Sequence, residues 1–362
     1  MEENKTLTVD AAEEKELSAA AETVEETDVP LDKNVRLMSP NRMLVRRFFR
    51  SKLSIVGLVM VISLFLFCFA GPLLYTQWGE TDLDESGKVE YAVSETTYTV
   101  DGQTYTIRQT TEKQLKDNFL ASPSLRHPLG TDDQGYDVLA RLMYGGRVSL
   151  LVSFLTVFLL TLFGVLLGGI AGFFGGWVDN LIMRVCDVLI CLPGVPILLI
   201  ISTAMDGWVS LGHMEEGWRI YLLMIFLTFI SWPGTARLVR GQILSLREQE
   251  FMVAAEAMGY STGRKIFKHL VPNVMPQLIV QMTLSLGSMI LYEATLSYLN
   301  MGIKAPYTAW GSMINIISTN SDILQNHLYV WVPAGVCIVI AVLGFNFVGD
   351  GLRDALDPKG RR

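Results

Sequence analysis

The chain has 362 residues, half of them hydrophobic, with a mean hydropathy of +0.35. A soluble enzyme of this size is excluded by how those residues are distributed, since Leu151 to Gly175 runs without a single charge. The formal net charge of −7 says little about partners, because the acid is concentrated at one end, and no nucleic-acid partner is expected.

In chain order, residues 1–35 come first. Residues 1–32 hold eleven Asp or Glu against two Lys and no aromatic residue, so they cannot bury enough apolar surface to offset ordering and are expected to form a disordered acidic cytoplasmic tail. The positive n-region and early apolar core of a signal peptide are missing. Residues 36–77 then supply a basic cytoplasmic segment and the first apolar span. Six windows reach the roughly 20 residues that cross about 30 Å of hydrocarbon as a helix. They lie near 53–77, 148–174, 184–205, 219–236, 273–297 and 330–348. The expected class is an all-α membrane protein with about six transmembrane helices.

Between the first two spans, residues 78–147 form a long polar loop. Tyr91 to Tyr98 and Tyr105 to Gln109 are rich in Thr, Tyr and Val, with Asp101-Gly102 between them, which predicts a β-hairpin. It is either a decorative insertion or a surface that receives a partner. Residues 148–350 make the core, with a polar loop at 237–272, and residues 351–362 form a cytoplasmic C-terminal tail.

Orientation follows from Lys and Arg near the span ends. Arg42, Arg46, Arg47, Arg50 and Lys52 precede the first span. Arg237, Arg240, Arg247, Arg264, Lys265 and Lys268 lie between the fourth and fifth, and Arg353, Lys359, Arg361 and Arg362 follow the sixth. The loops at 206–218 and 298–329 carry one basic residue, Lys304. With six spans, the basic regions share one side and both termini are expected in the cytoplasm.

The loop at 237–272 is expected to hold two short helices. In the first, Phe251, Ala254, Ala255 and Met258 recur at i, i+3, i+4 and i+7, an apolar stripe. The two alanines admit another backbone, and Phe251 and Met258 can fill pockets. Gly259 ends the helix in a left-handed conformation. Ser261 or Thr262 caps the second, with Ile266, Phe267 and Leu270 as its apolar side, and Pro272 closes the loop. By periodicity alone, the stripe could equally lie on lipid headgroups.

Within the spans, Glu293 is a carboxylate that is costly in hydrocarbon unless paired or hydrated. It either faces a translocation path or joins two helices. Arg184 and Asp187 are spaced to pair with each other, and Leu192-Pro-Gly-Val-Pro196 interrupts the third span. Gly164, Gly168, Gly172 and Gly176 repeat every four residues and predict a close helix-packing face, within this chain or against a partner subunit. Cys68, Cys186, Cys191 and Cys337 all fall within or at the ends of apolar spans, match no metal spacing and read as packing residues. No catalytic constellation or metal site is expected.

Ala254, Ala255, Gly259 and Pro272 together resemble the EAA loop of binding-protein-dependent permeases, in which a Gly four residues after the second Ala and a Pro thirteen further on recur. Val253 stands where that family has Glu. His127-Pro-Leu-Gly-Thr-Asp-Asp-Gln-Gly-Tyr-Asp137, with Arg141 and Gly145-Gly-Arg147, resembles dipeptide and oligopeptide permeases, with Tyr136 where Arg is common. Glu293-Ala-Thr-Leu-Ser-Tyr-Leu-Asn-Met-Gly302, with Pro306 and Trp310-Gly311, is a third match, with Asn300 where Gly is usual. Gly349-Asp-Gly-Leu-Arg-Asp-Ala-Leu-Asp-Pro358 is a fourth. These motifs cover roughly residues 40–362 in the family's order.

The resemblance implies the second membrane subunit of a peptide importer with the type I ATP-binding-cassette permease fold, in the bacterial cytoplasmic membrane. Its partners would be a second homologous permease, two ATPase subunits that bind ATP and Mg, an extracytoplasmic peptide-binding protein and membrane lipid. Phe251, Ala254, Ala255, Met258, Gly259 and Pro272 would form the ATPase-coupling contact. No Gly-x-x-x-x-Gly-Lys-Ser/Thr phosphate loop occurs in the chain, so no cofactor of its own is expected and the energy would come from a partner. The alternative is a proton-coupled secondary transporter with Glu293 as proton carrier.

Overall fold

The computed structural model describes residues 40–84, 90–100, 103–113, 118–304 and 306–356. The expected acidic tail, the turn at Asp101-Gly102 and residues 357–362 of the C-terminal tail lie outside them. The chain divides into two units, residues 1–44 and 45–362. Of the first, only the opening of α1 (Pro40–Phe48) is described; all the later elements belong to the second.

A long helix α2 (Lys52–Leu74) comes first among these, capped by Ser51, whose side chain accepts from Ser54 N at 3.4 Å. One π turn, Leu66–Ala70, interrupts α2. Such a turn leaves carbonyls without ordinary helical partners, and Arg147 takes two of them: Nε donates to Cys68 O at 2.7 Å and Nη2 to Phe69 O at 3.0 Å. Strands β1 (Glu90–Val100) and β2 (Gln103–Lys113) then pair antiparallel, with Tyr98 opposite Tyr105 and Thr96 opposite Ile107.

Helix α3 (Val138–Phe174) is next, at roughly 55 Å far longer than a membrane core is thick. It starts ten residues before the expected span at 148 because Asp137 caps it, accepting from Ala140 N at 2.7 Å. Of the two arginines that end the apolar window in the sequence, Arg141 pairs with Asp132 nine residues before it and Arg147 donates to carbonyls of α2. After Gly175 come α4 (Gly176–Cys191) and α5 (Gly194–Ser210), bent by 78° at the Leu192-Pro193 break. The break was expected; the start at Gly176 rather than 184 was not.

Helix α6 (Trp218–Arg247) runs past the expected end at 236, and Pro233 lies within it without stopping it. Short α7 (Glu250–Ala257) leads to α8 (Thr262–Tyr298), which contains a π turn at Lys265–Leu270. The predicted loop with two short helices is therefore one short helix between two long ones. Pro272 does not close it but sits at the second position after the π turn inside a continuous helix. Small α9 (Trp310–Thr319) and α10 (Ser321–Asn326) precede α11 (Leu328–Leu356). Among the described residues, α2, α3, α6, α8 and α11 are long and apolar enough to cross a membrane, and the bent α4–α5 pair makes a sixth if counted as one span.

Three apolar clusters hold these helices together. The first joins α2, the start of α3, the end of α8, α9 and α11 around the fully buried Trp310, whose Nε1 donates to Leu142 O at 2.9 Å. The second joins α3, α4, α5, α6 and α8 around Leu227 and Leu296. The third lies where α6, α7 and α8 meet.

The glycine series makes a close contact, but within the chain rather than with a partner. A Cβ on Gly168 would stand 2.4 Å from Ala236 O, one on Gly164 2.6 Å from Thr235 Cγ2, and one on Gly172 2.9 Å from Arg240 O, all on α6. Gly176 is off this face and opens α4 at φ +55. Asp187 pairs not with Arg184 but with Arg237 of α6 at 2.5 Å. Beside it, Arg240 holds Asp179 with two hydrogen bonds of 2.7 and 2.5 Å, the fork geometry that makes such pairs strong.

Candidate functional site

Helix α7 carries the predicted stripe, and the structure divides it. Met252 (4% exposed) and Ala255 (1%) turn inward, where Met252 packs with Val239, Ile243, Ile266, Leu270 and Val274. Burying Met252 contributes on the order of 1.5–3 kcal/mol toward holding the helix in place. Ala255 therefore seats α7 on its own chain instead of facing outward. Phe251 (36%), Val253 (63%) and Met258 (62%) are exposed, as is Ala254. Phe267, expected beside Ile266 and Leu270, is also outside at 61%.

The end of α7 is closed by a Schellman arrangement. Gly259 N donates to Glu256 O at 2.9 Å and Tyr260 N to Ala255 O at 3.2 Å, with Gly259 at φ +70. Tyr260 then lies between the Arg264 guanidinium, 4.1 Å from its ring centre, and the His269 ring at 5.5 Å. Glu256 and Lys265 approach to 3.5 Å, a surface pair that contributes little. No atom lies within 4 Å of a Cβ added at Gly259, so Gly259→Ala costs only the left-handed backbone, about 1–2 kcal/mol. The expected result is a partial loss of whatever binds this loop, roughly 5–30-fold in the docked population, read as a weakened dissociation constant rather than a lost chain.

Glu293 is 3% exposed. Ser297 Oγ donates to its Oε1 at 2.7 Å, and Ser149 of α3, which accepts from Trp310 N at 3.2 Å, flanks the same carboxyl. The residue thus stands where α3, α8 and α9 meet. Gly311 belongs to the same junction: a Cβ there would be 2.4 Å from Ala294 O. Asn300 takes the left-handed conformation at φ +63, which explains how it can occupy a position that suits Gly, since Asn tolerates that region better than most residues.

At the other end of α3, the 127–137 motif folds on itself. Asp132 accepts from Gln134 N (3.0 Å), Tyr136 N (2.9 Å) and Arg141 Nη1 (2.5 Å), and Arg141 lies over the Tyr136 ring at 4.7 Å. Buried His127 has Asp137 Oδ2 2.8 Å from Nδ1 and Asp84 Oδ2 3.1 Å from Nε2, with Trp78 stacked on it at 4.7 Å. Arg126 Nη2 donates to the other Asp84 oxygen at 2.8 Å. This cluster ties the stretch after α2 to the cap of α3. Nothing in the sequence signals it, because Asp84 and His127 are 43 residues apart. Nearby, Glu80 accepts from Thr308 N at 3.0 Å, and burial pushes its carboxyl above the usual range. Among the described residues no group of His, Cys, Asp or Glu is arranged to hold a metal ion.

Comparison with known proteins bears on both ends. Residues 164–362 match the family described as "Binding-protein-dependent transport system inner membrane component", and residues 39–87 match "N-terminal TM domain of oligopeptide transport permease C". The dipeptide transport system permease protein DppC of Alkalihalophilus pseudofirmus is 34% identical over 338 residues, 93% of this chain and 96% of the relative. The oligopeptide transport system permease protein OppC of Bacillus subtilis is 34% identical over 321 residues, 87% of this chain and 88% of the relative. DppC of the same organism is 35% identical over 318 residues, 88% of this chain and 85% of the relative.

Proposed function

Because the chain belongs to the family of binding-protein-dependent transport system inner membrane components, we propose that it is the permease subunit of an importer for dipeptides or oligopeptides, driven by ATPases that dock on α7. It is a multi-pass transport subunit and not an enzyme. The observation that carries the coupling assignment is the face of Phe251, Val253, Ala254 and Met258: apolar, exposed, and seated by Met252 and Ala255 at the junction of α6 and α8. Exposed apolar side chains grouped on a short polar-flanked helix fit a protein groove. Of the predicted contact residues, Phe251, Ala254 and Met258 touch the motor in this reading, while Ala255, Gly259 and Pro272 shape the helix that presents them.

The remaining partners are a second homologous permease, two ATPase subunits that hold ATP and Mg, and an extracytoplasmic peptide-binding protein. The membrane is the bacterial cytoplasmic membrane, with both termini and α7 inside and the strands outside. Glu293 serves packing, pinning α8 against α3 and α9. A proton carrier built on it has no support: the relatives are transport system permeases, and the carboxyl is buried and bonded to Ser297.

The test is a mild-detergent purification of the tagged chain, with identification of its partners and an assay of ATP hydrolysis. A second permease and two ATPases are expected; a chain recovered alone yet active in uptake contradicts the reading. Orientation has its own test. Three native cysteines are buried and Cys191 is exposed, so a Cys191→Ser background is used. A cysteine at exposed Thr97 reacts with an impermeant maleimide on intact cells, and one at exposed Ser261 only after permeabilisation. The reverse pattern overturns the topology.

A further inference from the structure

The exposed faces of the spans differ in kind. On α2, α3, α6 and α11 they are apolar, with Val59, Phe158, Ile225 and Val339 among the residues that stand out, as contact with hydrocarbon requires. On α8 the exposed face is polar. Gln281, Ser285, Ser288, Tyr292 and Thr295 recur at i, i+4, i+7, i+11 and i+14, which sets them on one face. Each is exposed or half-buried, and Leu284 and Leu291 run along one edge of the stripe.

Depth matters here. A Cβ on Gly349 would be 2.7 Å from Leu284 Cδ2, so the charges that follow it on α11, Asp350 and Arg353, stand near the level of Gln281. From Ser285 onward the stripe lies at the depth of the apolar spans, where a polar group turned to lipid goes unsatisfied. Gln281 Nε2 reaches Ser285 Oγ only at 3.4 Å. Ser288 and Thr295 donate to the carbonyls of Leu284 (3.5 Å) and Leu291 (2.8 Å), which leaves their oxygens free to accept. The Tyr292 hydroxyl has no hydrogen-bond partner among the described residues. It lies beside the broken span: a Cβ on Gly194, the first residue of α5, would be 3.2 Å from it. At the end nearer α7 the stripe continues through Gln277 and Asn273 into an open groove of about 670 Å³, walled on its other side by Arg353 and Leu356 of α11.

We propose that this face of α8 lines the route of the cargo, and that Gln281, Ser288 and Tyr292 hydrogen-bond the peptide main chain as it passes. The proposal rests on the importer reading above. Polarity argues against lipid as the neighbour. Size argues against a second permease: helices associate in membranes through small residues that let backbones approach, whereas Gln281 and Tyr292 hold their polar ends away from the helix. The open groove at one end gives the stripe access to water. Amides and hydroxyls both donate and accept, as the peptide bond does, and a wall without charge neither selects nor traps a charged side chain. Such a wall suits cargo whose side chains vary and whose main chain does not, and weak bonds exchanged in steps let the cargo leave.

The test uses the assembled importer in nanodiscs, with its peptide-binding protein and in the Cys191→Ser background. Ser288→Cys and Thr295→Cys are expected to react with a small charged thiosulfonate roughly tenfold faster or more than Phe158→Cys and Val339→Cys, whose side chains are exposed on other spans. Labelling as slow as in those controls means that lipid or the second permease covers the stripe, and overturns the proposal. Gln281→Leu combined with Tyr292→Phe lowers the maximal uptake rate of unrelated peptides alike, by roughly tenfold, with docking of the binding protein unchanged. Uptake within twofold of wild type, or a loss confined to one side-chain class, overturns the main-chain assignment. Gln281→Lys supplies a readout that a merely structural residue would not move. Uptake of lysine-rich peptides falls at least fivefold relative to glutamate-rich ones, measured against the same ratio in the wild type; an unchanged ratio removes Gln281 from the route. If the wild-type complex shows no ATP-driven peptide uptake, it is the importer reading that fails, while the labelling result is read independently.

Discussion

Phe251→Asp combined with Met258→Asp is expected to reduce ATP-driven uptake to background while the chain still reaches the membrane in normal amount. Both side chains project from the outer face of α7 and make no part of the cluster that seats it, so the fold has no reason to notice the change. The docked state does, because two carboxylates enter an apolar contact without counter-charges. Residues that anchor interfaces in this way cost about 2 kcal/mol or more each when lost, and 1.4 kcal/mol is a tenfold change. The double variant should therefore lose roughly three orders of magnitude in ATPase affinity. The measurement is recovery of ATPase with the tagged chain, alongside peptide uptake. Glu256→Ala is the control: that carboxylate is exposed and its pair with Lys265 is long, so affinity should change less than twofold. Normal uptake in the double variant would remove α7 from the coupling path.

Gly168→Leu has the opposite signature, a loss of the folded chain. The added Cβ would meet a backbone carbonyl at 2.4 Å, which no rotamer change can relieve, so α3 and α6 must separate. Overpacking a well-filled core typically costs about 1–3 kcal/mol. Here the separation also disturbs neighbouring close contacts at Gly164 and Gly172. The expected result is little monodisperse protein on detergent size exclusion. Gly169→Ala, one position along, is the matched control: its nearest neighbour would be Ile243 Cδ1 at 3.7 Å, an ordinary contact, and the protein should behave as wild type. Equal behaviour of the two variants would show that the glycine face does not set the helix spacing.

Hydropathy located the spanning helices because uncharged runs of sufficient length are rare outside membranes. It misplaced their ends, because a window stops at its first charge without knowing whether that charge is matched. Arg141, Arg147 and Arg240 all sit on helices that the sequence ended or delayed; Arg141 is paired with Asp132 nine residues back, and Arg147 and Arg240 with groups 79 and 61 residues away. Periodicity found the stripe on α7 but could not say which of its two edges faces home. Ala254 and Ala255 are chemically identical, and only the position of Ile266, Leu270 and Val274 decides that the second is covered. The spacing of the glycines predicted a close approach correctly, yet carried no information about the chain on the other side of it.

Helix α8 begins beside α7 and ends just before Asn300. Thirty-seven residues of unbroken helix make a rod of roughly 55 Å. Pro276 and the π turn at Lys265–Leu270, both near its foot, are the places where it can yield. A tilt of about 5° about the foot displaces the far tip by about 5 Å over that length. That far tip is not free, because Glu293 and Ala294 pack it against α3 and α9. In mechanical terms the rod is a strut, compliant at its foot and clamped at its head, so under the coupling proposed above a push at α7 would reach the opposite surface only together with the helices it is clamped to.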